Sequence, residues 1–241
     1  MKKFAIIITT KNRLEDLVVT LGKIEHLIRR DDVECIICDD GSNDGTYQYL
    51  EKSHHEIQYF RNEKSRGLIY SRNRLLEKVT AEYAISIDDD LHFITGEPLE
   101  IIEEYFLQNP RCALMSFRIF WSKSEPIKTI TAQTPERTKS FAGGAHALRV
   151  SDWKKIPNYP EWFVFYGEES FAALHMHMHD MEIHYVPRIL VNHRVEMTER
   201  KRGGDRLLRL RRSLRSGWYL YFLFMPMKVI PKKMGHSLWH Q

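Results

Sequence analysis

The chain's 241 residues, 43% apolar and 12% aromatic, are enough to bury a substantial core, which excludes a disordered, fibrous or repeat protein. The net charge of +4 conceals an asymmetry, because residues 1–199 carry 25 basic and 31 acidic side chains whereas 200–241 carry 11 basic side chains against Asp205 alone. A polyanionic partner is therefore excluded for the body and suited to the tail.

In chain order, residues 4–8 form an apolar, β-branched run that predicts a strand. It stops after five residues at Thr9-Thr10-Lys11-Asn12-Arg13, too short for an export leader. A helical pattern through Leu14, Leu17, Val18, Leu21 and Ile24 and a second strand at 34–38 complete a βαβ unit. Cys35 and Cys38 lie in that second strand, and with Cys112 they are odd in number. They read as buried reduced thiols in a cytosolic protein, not as disulfides or a zinc site. The alternation continues with a helix at 47–52, a strand at 57–60, a helix at 71–79 and a strand at 83–87, a doubly wound nucleotide-binding layout. A helix at 98–107, a strand at 113–120 and a long polar lid-like loop at 121–140 follow. We expect one α/β domain over 1–199 and a basic, aromatic-rich tail over 200–241. The apolar stretch at 218–230 contains Pro226 and falls short of the ~20 residues that span a bilayer.

Ligands of open α/β sheets bind beyond the carboxyl ends of the strands, and the residues there are unusually polar. They are Thr10-Lys11-Asn12-Arg13, then Asp39-Asp40-Gly41-Ser42-Asn43-Asp44-Gly45, then Asp88-Asp89-Asp90. Three consecutive aspartates repel one another in a dry site unless a cation offsets them. A hard divalent ion bridging carboxylates to a diphosphate satisfies that need, with Asp88 and Asp90 as a DxD pair. The local alternative is a turn or helix cap, where aspartate is also favoured. Two such clusters at successive strand ends favour a functional cleft.

These segments, quoted from Thr10 to Arg13, Cys38 to Thr46 and Ile87 to Asp90, resemble glycosyltransferase family 2 in order and spacing, over roughly residues 4–195. The resemblance implies a GT-A fold, with a Rossmann-like, mostly parallel central sheet flanked by helices. It also implies inverting transfer from a nucleoside-diphosphate sugar with Mn2+ or Mg2+ as cofactor. By position it implies that Asp40 accepts a hydrogen bond from the base, uracil first and hence a UDP-sugar, with Asp39 beside it and Thr10 and Arg13 near the nucleotide. Arg66-Gly67 and Ser71-Arg72-Asn73 resemble a family segment that places Arg72 on the base or diphosphate, with Ser71 a mild departure. Asp88 and Asp89 would face the donor. Tyr166-Gly167-Glu168-Glu169 resembles the acceptor-site element, which makes Glu169 the general base and Glu168 its reserve, with Glu169 one methylene longer than the aspartate of many relatives. Phe141-Ala142-Gly143-Gly144-Ala145-His146 resembles the segment lining the donor sugar, with Gly144 close to the ligand and His146 a contact candidate. His193, after the last core strand, would join Asp88 and Asp90 on the metal and favours manganese. His175, His177, His179 and His184 receive no role.

In the tail, Leu207, Leu210, Leu214 and Trp218 recur at helical spacing among Arg206, Arg209, Arg211, Arg212 and Arg215. This predicts a basic amphipathic helix for an anionic membrane surface, hence a glycan or lipid-linked acceptor at the inner face of the cell membrane, with no nucleic-acid partner. A helix packed on the domain, or a homo-oligomer interface, is the alternative reading. Two rival functions share the aspartates: a metal-dependent nucleotidyltransferase, which lacks its glycine-rich triphosphate loop here, and a catalytically silent nucleotide-sugar-binding protein.

Overall fold

The structure, a computed structural model, describes residues 2–53, 56–195 and 206–239. The boundary expected at residue 199 and the basic run at 200–202 lie outside the described residues.

Strand β1 (Phe4–Thr10) shows why the N-terminal run is apolar throughout. Phe4, Ile6 and Ile8 pack into one core layer and Ala5 and Ile7 into the other, so both faces of the strand are covered. Helix α1 (Leu14–Ile28) buries Leu17, Leu21, Ile24, Leu27 and Ile28 on the first face. β2 (Val33–Asp39), α2 (Thr46–Ser53), β3 (Ile57–Arg61), α3 (Leu68–Lys78) and β4 (Tyr83–Asp88) then repeat the unit. α3 covers the second face with Ile69, Leu75 and Leu76. The remaining elements are β5 (Leu91–Phe93), α4 (Pro98–Gln108), β6 (Cys112–Trp121), β7 (Glu136–Thr138), β8 (Ala145–Arg149), α5 (Val150–Trp153), α6 (Glu168–Met178), β9 (Glu182–His193), α7 (Arg206–Phe224) and α8 (Ile230–Trp239). Expected helix and strand positions agree to within a few residues, and the loop at 121–140 contains β7, which pairs with β9.

The sheet order is β3-β2-β1-β4-β8-β6-β9-β5. β1 pairs parallel with both β2 and β4, so the chain leaves β1 on one side and returns on the other. That switch point opens a crevice beyond Thr10, Asp39 and Asp88. Beyond β4 the sheet turns mixed: β8 lies antiparallel between β4 and β6, and β9 lies parallel to β6. The β6–β9 register jumps from Phe117↔Val186 to Arg118↔Leu190, so residues 187–189 bulge out beside Pro187, which has no N–H for the ladder. After the bulge, Leu91 of β5 opposes His193 of β9. β5 begins directly after Asp90, so strand pairing itself carries His193 to the aspartates.

All three cysteines are buried and unpaired. The tail helix α7 lies on the body: Tyr219 meets Trp162 and Phe163 with ring centroids 4.7 and 5.6 Å apart, and Phe224 meets Phe171 at 5.7 Å. No helix among the described residues is long and apolar enough to cross a membrane.

Candidate active site

The loops after β1 and β2 are laced together before any ligand is considered. Ser42 Oγ accepts from Asn12 N–H at 2.9 Å, Asn12 Oδ1 accepts from Asn43 N–H at 2.8 Å, and Asp44 Oδ2 accepts from the first amide of α1, Leu14, at 2.9 Å. The last contact caps α1 from a neighbouring loop. Thr10, Arg13, Asp40, Arg66, Asp88 and Asp89 then line a cleft of about 600 Å³, which also reaches Val164, Phe165 and Arg212.

Within the aspartate triple, one ligand atom each of Asp88, Asp90 and His193 lies within 4.8 Å of the others. His193 Nε2 is 2.9 Å from Asp90 Oδ1 and 3.9 Å from Asp88 Oδ2, with the Trp121 ring tilted by 32° against the imidazole at 4.5 Å. Arg13 reaches Asp90 at 2.6 Å, Asp16 at 2.9 Å and Asp89 at 3.3 Å. Burial pushes the Asp90 carboxyl up, but the hydrogen bond and charge of His193, together with Arg13, overcome it and hold Asp90 at about 2. Asp89 is pushed up to about 7, chiefly by burial and against the pull of Arg13.

Opposite them, the buried Arg72 donates to Asp88 at 3.1 Å and to Glu168 at 3.2 Å, and its Nη1 is 3.7 Å from Glu169. Burial and the neighbouring Glu168 push Glu169 up to about 7. Glu168 Oε2 is a buried acceptor without a hydrogen bond. Asn73 fixes this wall by exchanging hydrogen bonds with the Tyr159 backbone, at 2.8 and 3.1 Å. The glycine pair fits between: a Cβ on Gly144 would overlap the Asp88 carboxylate, and one on Gly143 would overlap Glu169. Gly144 also accepts from Asp88 N–H at 3.1 Å. His146 is buried and bonded to Ala142 O at 3.0 Å, so it supports this turn instead of entering the cleft.

Asp40, expected to read a base, has both carboxylate oxygens filled. Oδ1 accepts from Asn62 at 2.7 Å, Arg66 N–H at 2.8 Å and Ser71 at 3.2 Å, and Oδ2 accepts from Ser65 at 2.6 Å and Gly67 N–H at 2.9 Å. Its neighbour Asp39 accepts from Ser42 N–H at 2.8 Å through Oδ1, whereas Oδ2 is buried without a hydrogen bond, 3.5 Å from Arg61 Nε.

Sequence reading missed three participants. Arg61 follows a strand, so the strand-end rule points to it. Trp121 and Arg194 carry no local signal. Arg194 donates to Asp16 O and Thr20 Oγ1 at 2.8 and 2.7 Å and accepts the role of strap, since its N–H also reaches Asp90 O at 2.9 Å.

Five carboxylates, those of Asp88, Asp89, Asp90, Glu168 and Glu169, thus meet two guanidiniums, Arg13 and Arg72. The excess negative charge and the oxygen-and-imidazole donor set of Asp88, Asp90 and His193 fit a divalent cation.

Comparison with solved structures shows the same fold. Mannosyltransferase PcManGT from Pyrobaculum calidifontis, solved with GDP-Man and Mn2+, matches with a TM-score of 0.69 and 16% identity over 98% of this chain and 68% of that one. S. aureus TarS matches at 0.61 and 16% over 77% and 36%, and GalNAc-T7 with UDP, GalNAc and Mn2+ at 0.62 and 16% over 79% and 43%. The chain therefore spans well under half of the TarS and GalNAc-T7 chains. No curated protein sequence matches it. The profile described as glycosyl transferase family 2 matches residues 5–185, which include the laced loops, the aspartates and the Arg72–Glu169 wall, and the chain belongs to that family.

Proposed function

We propose that the chain moves a sugar, with inversion, from a nucleoside-diphosphate donor to a hydroxyl of a glycan or lipid-linked acceptor, with UDP-sugars as the preferred donors. The observation that carries this reading is Arg72, whose single guanidinium bridges Asp88 on the cation side of the cleft to Glu168 and Glu169 on the other. A diphosphate on the cation side and a general base on the other would then flank one point, as in-line displacement at an anomeric carbon requires. The nucleoside diphosphates in PcManGT and GalNAc-T7 support the donor class.

Asp88, Asp90 and His193 would hold the divalent ion, Mn2+ by preference, and it would offset charge on the departing diphosphate. Arg13, tied to Asp89 and Asp90, aligns those carboxylates and helps to keep Asp90 ionised. Glu169 takes the acceptor proton. As that oxygen bonds to the anomeric carbon, the bond from the carbon to the diphosphate oxygen breaks and the nucleoside diphosphate leaves. A carboxylate held near 7 is a competent base at neutral pH, because it is partly ionised yet holds a proton well once it has taken one. Asp40 lines the cleft where a ring imide N–H such as that of uracil would bind, and Asp39 stands beside it with its buried Oδ2 3.5 Å from Arg61 Nε.

The tail's exposed Leu207, Phe222, Leu223, Met227, Leu238 and Trp239, with its basic residues, support a site of action on an anionic cytoplasmic membrane surface and a role in cell-surface polysaccharide synthesis. Titration calorimetry with UDP and GDP, with and without Mn2+, tests the donor reading, and NMR of the product's anomeric configuration tests inversion. Manganese-dependent UDP binding lost in Asp90→Ala is expected. Binding of neither nucleotide would overturn the reading.

A further inference from the structure

A second groove, of about 550 Å³, runs between Val164 and one face of α7. Leu208, Arg211, Arg212, Arg215 and Trp218 recur there at three- and four-residue intervals, the spacing of a single helix face. The groove adjoins the active-site cleft, and Val164 and Arg212 line both.

Three features mark it as built for a ligand. No carboxylate among the described residues pairs with Arg211, Arg212 or Arg215, and Arg215 Nε is buried without an acceptor. Arg212 lies over the Phe165 ring and Arg215 donates to Phe163 O, which leaves the other N–H groups of these guanidiniums turned to a concave surface, where planar donor forks match the oxygens of a phosphate. Leu208, Leu214, Trp218 and Val164 interleave with the cations, so the groove is apolar along its length as well as positive. Val164 has φ +69°, a left-handed backbone that is strained for a β-branched residue, at a cost of about 1–3 kcal/mol. α7 holds it there: Arg215 Nη2 donates to Phe163 O at 2.8 Å and Ser216 Oγ donates to Phe165 O at 3.3 Å, on either side of Val164. The strained residue thus sits where the two grooves meet.

We propose that this groove seats the acceptor, and that the acceptor is a phosphate-bearing amphiphile. Its phosphate lies on Arg211 and Arg212, its hydrocarbon lies along Leu208, Leu214 and Trp218, and its sugar-accepting end enters the cleft past Val164. The assignment rests on the sugar-transfer reading and gives that reading its acceptor class. A water-soluble polyanion would use the arginines and leave the apolar lining idle. A flat bilayer would not need a concave groove.

The full chain is titrated with dodecyl phosphate below its micelle concentration, with inorganic phosphate, with dodecyl maltoside and with phosphatidylglycerol vesicles. Binding is read by calorimetry and by tryptophan fluorescence, to which Trp218 reports. Dodecyl phosphate is expected to bind at least about tenfold more tightly than inorganic phosphate or the maltoside. The double variant Arg211→Glu/Arg212→Gln should lose at least about tenfold, as two charge-assisted contacts disappear. Leu208→Glu, which leaves every arginine in place, should lose a comparable factor, so the test survives if the double variant folds poorly. Lys232→Glu, outside the groove, should change nothing. Equal binding of inorganic phosphate, equal loss in Lys232→Glu, or binding to vesicles but not to dodecyl phosphate would each overturn the proposal. UDP titration of the same samples separates the two readings: loss of nucleotide binding alone indicts the donor site, and loss of dodecyl phosphate binding alone indicts the groove.

Discussion

The strand ends at β2 and β4 carry the same residue type in the same topological position, and the structure uses them in opposite ways. Asp40, after β2, is saturated by five neutral donors from residues 62–71. Asp88 and Asp90, after β4, face guanidiniums and an imidazole. Buried donors left without their acceptor cost free energy, so the Asp40 carboxylate ties residues 62–71 to the end of β2. Guanidiniums can yield a carboxylate oxygen to a stronger cation, so carboxylates held by them are available for chemistry. The partner's charge, not the aspartate itself, distinguishes the two strand ends.

The sharpest way to break that comparison is at Asp90. Asp90→Asn keeps the shape and removes the charge, so we expect transfer to fall by about three orders of magnitude, several kcal/mol of lost transition-state stabilisation. The melting temperature should change little. Chelating divalent ions from the native enzyme should lower the rate to a similar degree, and Mn2+ should restore it only to the native chain. A variant that retained full metal-dependent turnover would remove Asp90 from the site.

Asp40→Asn should do the reverse. Two backbone amides and three side chains lose a charged acceptor, and we expect about 2–4 kcal/mol of lost stability in urea titration. Burial opposes ionisation of Asp40, but its hydrogen bonds from Ser65, the Arg66 amide, Asn62 and the Gly67 amide win and lower its folded pKa. A depressed carboxyl contributes stability above its unfolded pKa, about 3.9, and loses it as pH falls through the folded value. The stability gap between native chain and variant should therefore be full at pH 6 and shrink below about pH 4.

How much of this was legible in the sequence follows from the range of the forces involved. The alternation of strands and helices to residue 120 was readable because burial of both sheet faces imposes continuous apolar runs. The clustering of Asp88 and Asp90 was readable because adjacent like charges repel, and the structure adds His193 to them. The partners of Asp40 were not, because they lie 22 to 31 residues away along the chain and nothing local distinguishes it from Asp39. Nor was the place of the tail: Leu207, Leu210, Leu214 and Trp218 announced a helix, but the hold of Arg215 and Ser216 on Phe163 and Phe165 depends on which face docks. The basic face read as a membrane surface also lines a groove open to the active site.

The comparison sharpens further at Glu169, where the pKa moves the other way. Burial and Glu168 raise it to about 7, so the folded state binds that proton more tightly than the unfolded chain, whose glutamates titrate near 4.3. Between those values the unfolded chain is ionised while the folded one is still protonated, and each rise in pH disfavours folding. Native stability should thus decline from about pH 4.5 to pH 7. Glu169→Gln, which has no proton to lose, should escape that decline, melting with the native chain near pH 4 and exceeding it by about 1–3 kcal/mol at pH 8. The same substitution should reduce turnover severely at every pH, so stability gained where activity is lost would mark Glu169 as a strained base. A variant no more stable than the native chain at pH 8 would mean that Arg72 already offsets the buried charge, and that Glu169 ionises well below neutrality.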